Sequence, residues 1–198
     1  MSKPNLLFAT PVWTIQLDNY KDVNEQMYNY IKLKQENDKL GINKSNVKGW
    51  HSKDFNLNDK EPQNFIAFIL PAIQQVMTDM DWDKEKQTAK INNMWAIINT
   101  GGSANLRHQH GNSTISAAYY VRAPINSGDI VFYDPRPAPV YFHPNVINPN
   151  MLNAQVNGIS PKEGALVLFP SYLDHSVNEN QSNEERIVIS LNIRIQIK

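Results

Sequence analysis

The chain has 198 residues, of which 41% are hydrophobic and 19% charged, so we expect a globular protein with a substantial core rather than a disordered chain. Lys and Arg together number 19, as do Asp and Glu, which leaves no basic excess of the kind that favours nucleic-acid binding. The absence of cysteine excludes disulfides and thiolate metal sites, and no apolar run is long enough for a membrane span, so we expect a soluble cytoplasmic protein.

The first part of the chain, residues 1–84, has the apolar spacing of helices. Residues 22–37 and 61–80 repeat apolar side chains every three or four positions, and each segment predicts an amphipathic helix. Pro71 lies inside the second segment and should kink or split that helix. Between the two helices, residues 41–60 predict a loop, which is also the best candidate for a lid. We expect residues 1–84 to form a helical support region that packs on the rest of the protein.

From residue 85 onward, short apolar runs alternate with Gly, Pro, Asn and Ser, a pattern typical of β-strands. The predicted strands are residues 90–99, 113–122, 128–134, 139–143, 153–159, 164–170 and 186–196. No helical segment separates them, so an antiparallel sandwich or barrel is favoured over a parallel sheet. The predicted fold is therefore mainly β with N-terminal helices, and residues 85–198 form the β core.

Two histidines, His108 and His110, follow a predicted turn at Gly101-Gly102. Residues two positions apart on an extended strand point to the same face, so both imidazoles could reach one metal ion. A polar loop that happens to contain two histidines is the alternative. A third histidine, His175, follows the strongly apolar predicted strand of residues 164–170 and favours the metal site.

The last predicted strand begins with an arginine. Strand alternation places four of its residues on one face: Arg186, Val188, Ser190 and Asn192. An arginine that faces the interior of a sandwich needs an anionic partner, and its forked guanidinium suits a carboxylate. A surface pair with Glu184 or Glu185 is the alternative.

In order and spacing, these residues resemble the Fe(II)- and 2-oxoglutarate-dependent oxygenases, in particular the prolyl-hydroxylase-like branch and the oxygenases found in phage genomes. The matching stretches are WAIINTGGSANLRHQHGNSTISAAYYV, GDIVFYDPR and PKEGALVLFPSYLDHSVNENQSNEERIVISLNI, and the N-terminal LLFATPVW also resembles the phage-type members. The resemblance implies a double-stranded β-helix (jelly-roll) core. It also implies Fe(II) as the metal, with 2-oxoglutarate and O2 as cosubstrates.

The resemblance implies His108 as the proximal iron ligand and His175 as the distal one. The usual family pattern is H-x-D, and here His110 stands at the carboxylate position. Three neutral imidazoles leave the full dipositive charge on the metal, which makes zinc or nickel a more serious competitor for the site. Asp134 could supply the carboxylate instead, but we prefer His110 because its spacing from His108 is direct.

For the cosubstrate, the resemblance implies that Arg186 binds the distal carboxylate of 2-oxoglutarate and that Tyr120 hydrogen-bonds the same group. Ser190 and Asn192 would line the pocket from the strand of Arg186. His108, His110, His175 and Arg186 would together form the catalytic set.

The implied activity is that of a dioxygenase, which hydroxylates a substrate and releases succinate and CO2. The sequence does not identify the substrate; the resemblance makes a peptidyl proline, and hence a protein partner, one candidate. Two alternatives from other classes stay open: a non-catalytic phage structural or interaction protein on the same fold, and a cupin-like three-histidine enzyme that uses no 2-oxoglutarate. A phage-encoded protein would act in the host cytoplasm.

Four further residues carry weaker expectations. Met94 and Trp95 should pack in the core between the helices and the sheet. His51 should be a loop or surface histidine, or else edge the pocket together with Trp50.

Overall fold

The computed structural model of the protein describes residues 3–136 and 143–198. Two helices lie in the first part of the chain, α1 (Tyr20–Asn37) and α2 (Lys60–Asp79). The strands are β1 (Trp13–Gln16), β2 (Asn46–Val47), β3 (Trp50–His51), β4 (Gln87–Asn99), β5 (Ala104–His108), β6 (Ile115–Arg122), β7 (Ile130–Tyr133), β8 (Val156–Ile159), β9 (Ala165–Pro170), β10 (His175–Val177) and β11 (Arg186–Ile197). Neither helix is long and apolar enough to cross a membrane.

The strands form two antiparallel sheets. The major sheet has the strand order β1-β9-β6-β11-β4-β3, and the minor sheet has the order β2-β5-β10-β7-β8. Every strand pair of the described residues is antiparallel, so the prediction of a mainly β, antiparallel fold with N-terminal helices is confirmed.

The major sheet buries one face against the helices. In β11, alternation sends Ile187, Ile189 and Leu191 to this side, where all three are fully buried. They belong to one apolar cluster with Phe65 and Ile69 of α2. Burying one such side chain contributes about 1.5–3 kcal/mol, so this layer attaches the helices firmly to the sheet.

The opposite face of the major sheet looks toward the minor sheet. A second, smaller apolar cluster fills part of this space, with Val167 and Phe169 of β9, Val188 of β11 and Phe132 of β7 among its members. This cluster does not fill the whole interior, and the space beyond it is a cavity lined from both sheets.

Helix α2 runs without interruption through Pro71, so the predicted split of this helix is wrong. Proline lacks one N–H and removes one hydrogen bond of the helix, which is a local loss. Pro71 is exposed, whereas Phe65, Ile69, Ile73 and Val76 of the same helix are buried. Their packing on the sheet outweighs the lost hydrogen bond.

The predicted loop over residues 41–60 is partly wrong, because it contains β2 and β3. Strand β2 pairs with β5 at one edge of the minor sheet, and β3 pairs with β4 at one edge of the major sheet. Residues 1–84 thus contribute strands to both sheets in addition to two helices, and a division of the chain near residue 85 stays a prediction. The predicted strand over residues 139–143 lies outside the described residues except for His143.

A buried polar contact joins α1 to β6. Asn24 is 1% exposed, its Nδ2 donates to the Val121 carbonyl at 2.9 Å, and its Oδ1 accepts from the Tyr119 hydroxyl at 2.6 Å. Buried polar groups that lose a partner destabilise a fold by about 1–3 kcal/mol each. Asn24 therefore fixes where the first helix meets the sheet.

We expect Asn24→Ala to lower the free energy of unfolding by about 2–3 kcal/mol, because the Tyr119 hydroxyl loses its acceptor and the Val121 carbonyl loses a donor. Urea denaturation followed by circular dichroism measures the change. Tyr119→Phe breaks only one of the two hydrogen bonds and should lower stability by a smaller amount. An Asn24→Ala midpoint equal to that of the unmodified chain would contradict this account.

Candidate active site

Three histidines converge at one end of the cavity. His108 ends β5 and lies directly opposite His175, the first residue of β10. His110 follows two residues later, and its backbone N–H donates to the Ser171 carbonyl at 3.0 Å. One ligand atom from each of the three side chains lies within 4.8 Å of the other two. Metal–nitrogen bonds are about 2.0–2.1 Å long, so small side-chain rotations would bring all three onto one ion.

The segment that contains His108 and His110 has a different secondary structure from the one expected from the sequence. His108 and His110 were expected on one extended strand, but β5 ends at His108 and His110 belongs to the loop that follows. The loop is anchored to Ser171, close to His175, and so it returns His110 toward the other two histidines.

Backbone carbonyls fix the orientation of two of the imidazoles. Nδ1 of His108 lies 2.7 Å from the Leu106 carbonyl oxygen, and Nδ1 of His175 lies 3.0 Å from that of Leu173. A carbonyl can only accept, so Nδ1 carries the hydrogen in both rings and Nε2 keeps its lone pair. Histidines that bind metals are commonly held in this way by a partner on the other ring nitrogen.

The cavity keeps the three imidazoles neutral. Burial, followed by the charges of His175 and His108, lowers the pKa of His110 to about 3. Burial and then His108 lower the pKa of His175 to about 4, and burial also lowers the pKa of His108. Neutral imidazole is the form that binds a metal ion, so the three side chains form a suitable ligand set at neutral pH.

A buried cation lies elsewhere in the same cavity. Arg186 is 2% exposed, and its Nη1 donates to the carbonyl oxygens of Ser127 at 2.5 Å and Gly128 at 2.7 Å. Its Nε has no hydrogen-bond partner among the described residues. The alternative of a surface ion pair is not what the structure shows, since Glu185 pairs with Lys32 at 3.1 Å.

Arg186 thus has no anionic partner among the ion pairs of the described residues. A buried charge that lacks a counter-charge is unfavourable, and burial lowers the pKa of Arg186. A carboxylate in the cavity would supply the missing charge and an acceptor for the guanidinium. The donor set at this end of the cavity therefore fits a carboxylate ligand.

Gly128 makes the carbonyl contact to Arg186 possible. Its φ is +91°, and a Cβ at this position would collide with the backbone oxygen of Asn178. Only glycine adopts this conformation without strain, and the resulting turn presents two successive carbonyls to the guanidinium.

Tyr120 of β6 is paired with Val188 of β11 and lines the cavity close to Arg186. Burial raises the pKa of Tyr120, which outweighs the opposite effect of the Arg186 charge, so the phenol stays protonated and can donate a hydrogen bond. Ser190 and Asn192 line the same cavity, whose volume is about 920 Å³. The Asn192 amide oxygen accepts from Ser116 Oγ at 2.8 Å, which holds that side chain in place.

The sequence did not identify Trp95 as a cavity residue, and it left His51 between two interpretations. Trp95 was expected between the helices and the sheet, but it lines the cavity, and its ring lies 5.7 Å from that of His110. Met94 does pack against the helices, as expected. His51 is buried in β3 and lines the cavity, so the surface interpretation is wrong and the pocket-edge interpretation holds for His51; Trp50 instead packs in the apolar core with the helices. Strand alternation along β4 shows that Met94 and Trp95 lie on opposite faces, but it does not show which face meets the helices.

Asp134 does not join the histidines. It forms a bidentate pair with Arg136, at 3.0 Å to Nε and 2.7 Å to Nη2, and it lines a different cavity together with His143. Within the described residues, the group able to hold a metal is the three-histidine set alone. This set, His108, His110 and His175, contains no carboxylate.

Comparison with protein families matches residues 93–192, half of the chain, to a family described as "Putative 2OG-Fe(II) oxygenase". The chain belongs to this family of 2-oxoglutarate- and Fe(II)-dependent oxygenases. The matched segment contains the three histidines, Tyr120, Arg186 and Asn192. A comparison with curated proteins gave no match.

Solved structures share the fold of this oxygenase at low sequence identity. A Pseudomonas putida prolyl-4-hydroxylase is 11% identical, with a TM-score of 0.65 over 93% of this chain and 92% of that one. The viral collagen prolyl hydroxylase of Paramecium bursaria Chlorella virus-1, in complex with 2-oxoglutarate, is 15% identical, with a TM-score of 0.60 over 92% and 94%. HygX from Streptomyces hygroscopicus, with nickel, 2-oxoglutarate and hygromycin B bound, is 11% identical, with a TM-score of 0.63 over 94% and 83%.

These similarities confirm the jelly-roll fold expected from the sequence. Membership of the family assigns Fe(II) and 2-oxoglutarate to the protein as metal and cosubstrate, together with O2. The metal and the cosubstrate each have matching residues in the cavity. The neutral imidazoles suit the ion, and the guanidinium without an anionic partner suits a carboxylate of 2-oxoglutarate.

We expect His108→Ala and His175→Ala each to weaken Fe(II) or Ni(II) binding by about 100-fold or more, because two remaining imidazoles hold an ion far less tightly than three. Isothermal titration calorimetry under anaerobic conditions measures the affinity. His143→Ala removes a histidine outside the three-histidine set and should bind metal as the unmodified protein does. Equal affinity in all four proteins would show that the ion binds elsewhere.

Proposed function

We propose that the protein is a dioxygenase that uses Fe(II) and 2-oxoglutarate to hydroxylate a substrate, with release of succinate and CO2. The observation that carries this proposal is the pairing, in one cavity, of three neutral histidines with the buried, unpaired cation of Arg186. A metal enzyme that bound no oxo acid would have no use for a buried arginine without a counter-charge. The same argument weighs against a non-catalytic protein on this fold.

In this proposal His108, His110 and His175 hold the ion through ring nitrogens, and for His108 and His175 the nitrogen is Nε2. Together with O2, the bound Fe(II) and 2-oxoglutarate supply the oxidising chemistry, in which a substrate C–H bond is hydroxylated and the oxo acid loses CO2. Because the protein would supply only three ligand atoms, 2-oxoglutarate and O2 could also bind the ion, as such oxygenases require.

The remaining cavity residues position the cosubstrate. Arg186 binds its distal carboxylate through the guanidinium, and the protonated Tyr120 hydroxyl donates to the same group. Phe169 and Val188 supply apolar wall between the two ends of the cavity, and exclusion of water there strengthens the ionic contact to Arg186. Asn192, held by Ser116, and Ser190 offer further polar atoms along β11.

A peptidyl proline is the first substrate to test. Two of the structurally similar proteins are prolyl hydroxylases, and a third similar structure is a prolyl hydroxylase from Trichoplax adhaerens in complex with a peptide fragment. Such a substrate would make another protein the partner of this enzyme.

The deciding experiment is an anaerobic titration of the protein with Fe(II) and then 2-oxoglutarate. Chelation of ferrous iron by the oxo acid gives a weak visible charge-transfer band, which we expect in the unmodified protein. Arg186→Lys keeps the positive charge but loses the forked guanidinium. We expect this variant to need about tenfold more 2-oxoglutarate to reach the same band intensity. Arg194→Lys changes an exposed arginine of the same strand and serves as the matched control.

Iron binding without a band would overturn the use of 2-oxoglutarate, and the cupin-like alternative would then apply. Failure to bind iron at all would favour the non-catalytic protein. Zinc or nickel bound far more tightly than iron would identify a different native metal.

We expect His110→Asp to bind Fe(II) about tenfold more tightly, because a carboxylate adds a negative charge beside the cation. Once loaded with metal, the same variant should bind dianionic 2-oxoglutarate more weakly than the unmodified protein. The charge-transfer titration gives the second affinity, and calorimetry gives the first. An unchanged affinity for both would mean that His110 does not contact the ion.

A further inference from the structure

Two of the three histidines end matching Leu-X-His tripeptides, at residues 106–108 and 173–175. In each tripeptide the histidine Nδ1 lies close to the carbonyl oxygen of the leucine, at 2.7 Å for His108 and 3.0 Å for His175. The two histidines lie directly opposite each other across β5 and β10. The orientation of each ring therefore depends on its own tripeptide, and the separation of the rings depends on how the two tripeptides are joined.

An ion pair joins the central residues of the two tripeptides. Nε and Nη2 of Arg107 both donate to Oδ2 of Asp174, at 2.9 Å and 2.6 Å. The guanidinium also lies over the ring of Tyr133, 4.1 Å from the ring centroid. Tyr133 belongs to β7, and its backbone N–H donates to the Asp174 carbonyl oxygen at 3.1 Å. These contacts fix the two central residues relative to each other and to the minor sheet.

The backbone pairing between the two strands is irregular at this point. Strands β5 and β10 pair at two positions, His108 with His175 and Asn105 with Val177, and the register shifts between them. Two residues of β5 stand opposite a single residue of β10 there, which is the arrangement of a β-bulge and interrupts the ladder of hydrogen bonds. Arg107 is one of these two residues. Its side chain therefore supplies a connection where the backbone ladder is interrupted.

The position of this ion pair, more than its strength, distinguishes it. The side chains of Arg107 and Asp174 are 53% and 35% exposed, and ion pairs at such positions contribute little to overall stability. A second pair has the same construction: Arg122 pairs with Glu25 at 2.8 Å and lies over the ring of Tyr28, 4.8 Å from its centroid. That pair joins β6 to α1. Only in the first pair is each partner adjacent in sequence to one of the three histidines.

We propose that Arg107 and Asp174 are positioning residues of the metal site, which hold His108 and His175 at the separation and orientation that one ion requires. This inference rests on the three-histidine metal site of the proposed function. Neither side chain contacts the ion; each acts through the histidine that follows it. Loss of the pair would let the two tripeptides separate at the bulge, so that metal binding would have to bring the imidazoles together again.

Positioning and simple charge effects predict opposite signs for one of the two residues. If the pair acted only through its charges, removing the positive charge of Arg107 would strengthen the binding of a dipositive ion, and removing the negative charge of Asp174 would weaken it. The double variant would then bind about as tightly as the unmodified protein. If the pair positions the histidines, either single change weakens binding, and the double variant is no weaker than the singles because all three lose the same contact.

The test uses Co(II), whose affinity is measured by calorimetry and whose visible ligand-field bands report the arrangement of its ligands. We expect Arg107→Met, Asp174→Asn and the double variant each to bind Co(II) about tenfold more weakly, with altered bands. Arg107→Lys keeps the charge and one donor and should recover part of the affinity. Arg122→Met removes the matched pair and should leave affinity and bands unchanged, although its urea midpoint without metal should fall about as much as that of Arg107→Met.

The proposal is overturned if Arg107→Met binds Co(II) as tightly as the unmodified protein or more tightly, if the double variant recovers the original affinity, or if Arg122→Met weakens binding equally. His108→Ala is measured alongside. Equal binding by His108→Ala and the unmodified protein would remove the three-histidine site and with it the proposed function. Weak binding by His108→Ala together with normal binding by Arg107→Met would remove only the positioning role.

Discussion

The two faces of β11 are the constraint on which both the core and the site depend. Residues of one parity, Ile187 and Ile189 among them, are buried against the helices, and residues of the other parity, Arg186 and Ser190 among them, face the cavity. A slip of one residue would exchange the two sets, placing a guanidinium under the helices. Long pairing with β4, from Arg186 opposite Asn99 to Ile197 opposite Gln87, prevents that slip. The burial of apolar surface on one side therefore determines the positions of the polar groups on the other.

Arg186 shows how such a site is tolerated. The carbonyl oxygens of Ser127 and Gly128 accept hydrogen bonds from Nη1, so the backbone partly solvates the charge. Nε has no hydrogen-bond partner among the described residues. Completing this shell with aspartate or glutamate would stabilise the empty protein and block the cavity for an anionic ligand. Because no carboxylate side chain contacts the guanidinium, an anionic ligand can take that place and stabilise the folded protein when it binds, since a ligand that binds only the folded chain stabilises that chain. The cavity itself contributes little to the stability of the fold. The Asn24 hydrogen bonds and the apolar layer between the major sheet and the helices stabilise it instead.

The sequence predicted those features that depend on alternation within one segment. It predicted the common face of Arg186 and Asn192 correctly, because all polar residues of β11 lie on one face and only Ile and Leu lie on the other. It failed at Trp95, because both faces of β4 are apolar there, and a local pattern cannot tell which face meets the helices and which the cavity. It left His51 undecided between surface and pocket, because a strand of two residues is stabilised by β4, more than forty positions later in the chain. The predicted split at Pro71 was wrong because the local penalty was weighed without the packing of α2.

Under the proposed function, His110 in place of a carboxylate ligand would change how the site divides its binding energy. A carboxylate would lower the charge of the metal centre by one before the cosubstrate arrives, which favours metal binding and weakens attraction for a dianion. Three neutral imidazoles keep the full dipositive charge, and at short range inside a cavity that difference is large compared with thermal energy. In the same proposal, the charge of Arg186 would add to the attraction for 2-oxoglutarate. Under the proposed function the site would therefore hold its ion less tightly than a carboxylate site, and once loaded it would attract 2-oxoglutarate more strongly, so that metal and cosubstrate would bind as mutually dependent parts of one assembly.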